Sequence, residues 1–207
     1  MSPKTKYHYS KSCATRAILG VVTILAISGC SHYQVGFSLT NGGFKPKGQS
    51  IAIISGTKET QNVALANLVA DSLRKKSRYQ VTTPAQIAQL VQPYPLSIKG
   101  PYKSAYFHID TDWDLGDRKK IVEVQRALDV DYLYVIWAPI ALSSSGSTLV
   151  QVHAVAQLFE RPNAKEVAKT SMVLFMGDEG NLYFKEGADE VARQLAEETK
   201  MAKTTKK

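Results

Sequence analysis

The 207 residues include 26 lysines and arginines against 18 acids, a formal net charge of +8 at pH 7. The excess sits at the two ends, four basic residues before position 30 and four lysines after position 199, so residues 30–199 are neutral. A high pI of this origin supplies no basic face for nucleic acid, and that class of partner is set aside.

The N-terminal segment carries Lys4, Lys6, Lys11 and Arg16 with no acid, then an apolar run of 11 residues over 17–27. The run is short of the ~20 residues a spanning helix needs and has the length of a signal-peptide core. It closes on Ile27, Ser28, Gly29 and Cys30, which resembles a lipobox. That resemblance implies cleavage between Gly29 and Cys30 and a diacylglycerol on the Cys30 thiol, with palmitate among the three acyl chains usual for such lipoproteins. A plain secretory leader or a membrane anchor are the alternatives. Cys13 would leave with the leader and Cys30 would be acylated, so no pair remains for an intramolecular disulfide. Two or more acyl chains anchor stably where one does not. Ser31 stands where aspartate would signal inner-membrane retention in enteric-type sorting, so the expected address is the periplasmic leaflet of an outer membrane. The remaining 178 residues suit one domain.

Residues 30–50, rich in Ser, Gly, Asn and Lys, read as a lipidated N-terminus and tether with a root-mean-square span of ~25 Å. The alternation of Tyr33, Val35, Phe37 and Leu39 leaves room there for a short strand. Residues 51–55 predict a buried strand, and Val63, Ala66, Val69, Ala70 and Leu73 a helix that ends on Arg74, Lys75 and Lys76. A strand over 79–82 follows. Thr83, Pro84 and Gln86 then form a helix start with N-cap, proline and capping-box glutamine. Such an opening predicts a parallel strand pair.

An irregular stretch over 92–117 contains Tyr94, Tyr102, Tyr106, Phe107 and Trp113 among prolines and glycines; loops this long are usually functional or disordered. A helix over 118–128 should bury Ile121, Val124 and Leu128. The strand over 132–138 is apolar on both faces and therefore central. The strand over 148–160 should point Val150, Val152, Ala154, Ala156 and Leu158 one way and Gln151, His153 and Gln157 toward a wetter face. A strand over 167–176 and a helix with Phe184, Ala188, Val191, Ala192 and Leu195 on one side complete a single domain over 51–199. Residues 200–207 read as a basic, disordered tail. The fold class is α/β (α+β), a mixed sheet of about five strands with a parallel βαβ opening, an antiparallel C-terminal meander and flanking helices.

The segments 51–54, 79–87 and 127–136 are similar to the α/β domain shared by the TolB N-terminal domain, the curli-secretion lipoprotein and the lipoprotein activators of penicillin-binding proteins. This likeness lies in element order and hydrophobic pattern, carries no chemically specific motif, and implies the fold rather than an activity. The chain lacks the propeller continuation, the pore-forming hairpins and the long activator tether of those three groups.

Chemical motifs are sparse. Asp110, Asp112 and Asp114 alternate like the first half of a calcium loop, but Leu115 and Ile121 stand where its glycine and closing glutamate belong; Asp114 or Asp117 can instead cap the next helix. Gly56, Thr57 and Lys58 follow the first strand without a dinucleotide fingerprint or P-loop order. His32, His108 and His153 have no zinc-ligand spacing, and no serine elbow or free cysteine nucleophile is present. The expectation is therefore a non-enzymatic binding or assembly accessory of the cell envelope, held to the membrane through Cys30, with no cofactor. Its partner would be an envelope protein or the cell wall, with a homo-oligomer as a further possibility. Tyr102, Tyr106, Phe107 and Trp113 are interface-type residues that could equally cover the sheet; Gln151, His153 and Gln157 form the second candidate face. A self-assembling transport or secretion component and a cell-wall enzyme are the competing classes.

Overall fold

A computed structural model describes residues 6–7, 33–40, 48–100, 117–143, 150–176 and 182–203. The strands are β1 (Lys6–Tyr7), β2 (Tyr33–Leu39), β3 (Ser50–Ser55), β4 (Gln80–Val81), β5 (Tyr132–Ser143), β6 (Val150–Glu160) and β7 (Lys165–Met176), and the helices α1 (Thr60–Lys76), α2 (Pro84–Leu90), α3 (Arg118–Leu128) and α4 (Leu182–Glu198). All seven strands form one mixed sheet in the order β1-β2-β7-β6-β5-β3-β4. β3 is parallel to both β4 and β5, while β5, β6 and β7 make the antiparallel meander.

The sheet is sandwiched because its strands are apolar on alternate sides. Ile51, Ile53, Tyr132, Tyr134 and Ile136 pack with Leu65, Val69 and Leu73 of α1 and Val191, Ala192 and Leu195 of α4. Ala52, Ile54, Leu133, Val135 and Trp137 pack the other way, against Ile87 of α2, Ile121, Val124 and Leu128 of α3, and Leu96 and Ile98 of the connecting segment. Burying both faces of β3 and β5 is what the near-continuous apolar runs demand. Within the core the Tyr134 hydroxyl donates to Thr170 Oγ1 at 2.7 Å, and burial raises its pKa.

The helix starts follow their local chemistry. Thr83 and Gln86 form the complete capping box of α2, and Asp117 Oδ1 accepts from Lys120 N at 3.3 Å at the start of α3. In α1 the inward positions are Asn62, Leu65, Ala66, Val69, Ala70, Ser72 and Leu73; Val63, expected inside, is only half-buried.

Two expectations are corrected at the ends of the domain. Residues 33–39 are not tether: β2 pairs with β7 over its whole length, from Tyr33 opposite Leu174 to Leu39 opposite Ala168, with Val35 and Phe37 buried. The alternation of apolar residues prevailed because α4 offers that face a surface to pack on. Residues 200–203 are likewise ordered. Met201 is buried, Arg78 N donates to Met201 O, Ala202 bridges Ser77, and Lys203 N donates to Lys76 O at 2.9 Å. Residues 204–207 lie outside the described residues.

Asp131 fastens the start of β3 to that of β5. Its Oδ2 accepts from Gln49 N, Ser50 N and Ser50 Oγ at 2.9, 2.9 and 2.6 Å. Burial alone would raise its pKa; the Ser50 and Gln49 hydrogen bonds and the Arg161 charge outweigh that and bring it below 3.8. A depressed folded pKa stabilises above the unfolded value and is lost as pH falls through the folded one. Asp131→Asn should therefore destabilise by about 1–2 kcal/mol at neutral pH, with the gap to wild type closing below about pH 4, as urea titrations across pH would show.

Candidate functional site

In open α/β sheets ligands gather at the carboxyl ends of parallel strands. Here that position lies beyond Ser55 of β3 and Ile136 of β5, where Gly56, Thr57 and Lys58 lead into α1. The chain's own groups fill it. Gly56 N donates to Ile136 O at 2.8 Å, and Ile98 N donates to Gly56 O at 2.9 Å. The Trp137 indole, 1% exposed, donates from Nε1 to Ile98 O at 3.0 Å. A Cβ on Gly56 would stand 2.2 Å from Trp137 Nε1, and one on Gly100 2.8 Å from Trp137 Cδ1, so both glycines are needed for close approach to the indole.

Asn62 ties the same turn together from α1. Its Nδ2 donates to Ser55 Oγ at 2.6 Å, Thr57 Oγ1 at 3.1 Å and Ile136 O at 2.8 Å, two hydrogens serving three acceptors, while Oδ1 has no hydrogen-bond partner among the described residues. Glu59 at the N-cap makes no side-chain cap. This is a turn whose donors and acceptors mostly satisfy one another, with the Trp137 indole packed against Gly56 and Gly100. Asn62 and Trp137 organise this end of the sheet, and sequence reasoning missed both. The trace available in advance was an asparagine at an inward helical position and a tryptophan at the end of the most apolar strand.

The second candidate face is altered as well. Gln157 is fully buried, which corrects its placement on a wetter face. Its Nε2 donates to Glu166 Oε2 at 2.5 Å, and Glu166 Oε1 also accepts from Thr40 Oγ1 at 2.8 Å and lies 3.4 Å from Lys169 Nζ. The physical reason is the register shift between Leu158 and Phe159, which brings Glu166 of β7 beside β6 and turns the polar pair into a structural contact. His153, in register with Ile140 of β5 and Val173 of β7, is half-buried, and burial lowers its pKa. Gln151 pairs with Leu142 and Phe175.

Tyr102, Tyr106, Phe107, Trp113, Asp110, Asp112, Asp114, Gly29 and Cys30 lie outside the described residues. Beside the closed crevice, Lys58, Leu90, Pro93, Pro95, Lys120 and Glu123 line a groove of about 340 Å³ between the end of α2 and α3. Leu90 at its rim is 56% exposed. Among the described residues no three His, Cys, Asp or Glu side chains converge as metal ligands, and no helix is long and apolar enough to cross a membrane.

No family model and no curated protein matches the chain. Solved structures that are similar include a PelC dodecamer from Paraburkholderia phytofirmans, 11% identical, covering 81% of this chain and 98% of that one at a TM-score of 0.45. Lipoprotein GNA1162 from Neisseria meningitidis is 16% identical, covering 72% and 98%, also at 0.45. Likeness at this level settles neither activity nor partner.

Proposed function

We propose that this protein is a lipid-anchored component of the bacterial cell envelope, acting as a non-enzymatic binding or assembly accessory on the periplasmic leaflet of the outer membrane. The observation that carries the reading is the sequence Ile27, Ser28, Gly29, Cys30 behind a basic, acid-free segment and an 11-residue apolar run. The fold adds a geometric consequence: β2 starts at Tyr33, so only Ser31 and His32 separate it from the acylated cysteine. Three peptide steps span at most ~11 Å, which holds the near end of the sheet against the membrane. The filled crevice at Gly56 and Trp137 favours a binding role over small-molecule chemistry at that position. Tyr102, Tyr106, Phe107 and Trp113 supply the aromatic side chains that dominate protein interfaces and are the proposed recruiting face.

Cys30→Ala is expected to move the protein out of the membrane fraction or leave its leader uncleaved, read by fractionation and intact mass. A variant that fractionates and migrates like wild type overturns the anchor. In the same cells, a photoreactive side chain at Trp113 should capture a discrete envelope component; none captured by acylated, folded protein removes the recruiting role from this segment.

A further inference from the structure

We propose that the outer edge of β2 is a strand-addition site for a second copy of this chain, joining two sheets antiparallel along Tyr33–Leu39; this rests on removal of residues 1–29 as read above. The two edges of the sheet differ sharply. β4 is two residues long and runs within three residues into Pro84, so it offers little for a strand to pair with. β2 is seven residues long, free of charge and proline, and in unbroken register with β7. Natural edges are blunted by shortness, lysine, proline or bulges, and β2 has none of these.

That edge accepts a strand within this very chain. Gly36 pairs with Tyr7 and Phe37 with Lys6, antiparallel. Both partners belong to the leader, so processing removes the residues that fill the edge and leaves its backbone donors and acceptors open.

The sequence of β2 is compatible with its own copy. Full antiparallel overlap sets Gly36 against Gly36, Val35 against Phe37, Tyr33 against Leu39 and Gln34 against Ser38. Apolar residues meet apolar ones on one face and small or amide side chains meet on the other, with no like charges opposed. Val35 and Phe37 are already buried on the α4 side, and Tyr33 and Leu39 border the same cluster, so pairing would extend one apolar layer across the seam. The paired segment is ~23 Å long, so both Cys30 anchors reach one membrane when the strands lie along its surface. Confinement to that membrane raises the effective concentration of the two copies.

The test uses the processed lipoprotein extracted in detergent, with intact mass to establish that residues 1–29 are gone and light scattering to measure the assembly. Wild type is expected to be a dimer. Gln34→Glu with Ser38→Glu, and Gln34→Lys with Ser38→Lys, oppose like charges across the seam and should each weaken dimerisation roughly tenfold or more while the domain stays folded by far-UV circular dichroism. The lysine pair also faces Lys169 of β7, so the glutamate pair is the cleaner of the two. Mixing the two variants should restore a heterodimer, which a merely local defect in β2 would not do. A processed wild-type monomer, or an assembly indifferent to both variants, overturns this proposal and leaves the anchor reading standing. Retention of residues 1–29 overturns both.

Discussion

Replacing Trp137 by alanine is expected to destabilise the fold by about 3–5 kcal/mol, a large share of the 5–15 kcal/mol typical of a domain. The indole is 1% exposed, belongs to the apolar cluster on the α2 and α3 side of the sheet, and approaches Gly56, Gly100 and Ile98, so truncating it leaves a large cavity. Trp137→Phe should cost less. It keeps most of the apolar volume but leaves Ile98 O without the indole donor, a loss of about 1 kcal/mol beyond the smaller cavity. Gly56→Ala is destabilising for the converse reason, since its Cβ would overlap the indole; in a Trp137→Ala background that penalty should shrink. Urea denaturation of the two single variants and the double variant measures this coupling. Additive losses would show that the indole does not set the shape of the crevice.

The second large effect is expected at Asn62. Asn62→Leu removes the donor that serves Ser55, Thr57 and Ile136, at about 1–3 kcal/mol, moderated because Ile136 O keeps Gly56 N and Ser55 Oγ keeps Thr57 N. Asn62→Asp is more damaging at neutral pH, about 3–5 kcal/mol, because a carboxylate would face Ile136 O, which cannot donate, in a fully buried site. Burial would raise that carboxyl's folded pKa above its unfolded value. The charge penalty then applies above the folded pKa and is relieved as pH falls through it. Stability of Asn62→Asp relative to wild type should thus improve on acidification, whereas that of Asn62→Leu should not. Parallel pH dependence of the two variants would mean that the amide does not contribute as a buried donor.

How far these features could be read in advance depends on whether the signal is local. The capping box at Thr83 and Gln86, the aspartate cap at Asp117 and the inward stripe of Ile121, Val124 and Leu128 are set by residues within one or two turns of each other, and each stands as expected. So do the central position of β5 and the order of the meander, because two-sided apolar runs and short turns leave few alternatives. Gln157 misled because alternation along a strand reports which residues share a side, not what covers that side. The tether and tail readings failed for a related reason. Glycine, serine and lysine describe a segment that can be mobile, and a docking surface elsewhere in the chain decides otherwise.

By itself the sequence determined the α/β class, both ends of α3, the start of α2 and the end of α1, all of which follow from contiguous patterns of charge, apolarity and capping. Only the tertiary structure decided that Trp137 fills the crevice beyond β3 and that Gln157 is an interior residue held by Glu166. It alone also made residues 33–39 a full-length strand of the sheet, paired along β7. Trp137 meets Ile98, and β2 meets β7, across dozens of residues of chain, and even Gln157 and Glu166, nine residues apart, meet only through the register of β6 with β7. Sheet register and burial on both faces bring these partners together, and nothing in a local pattern encodes which partner arrives.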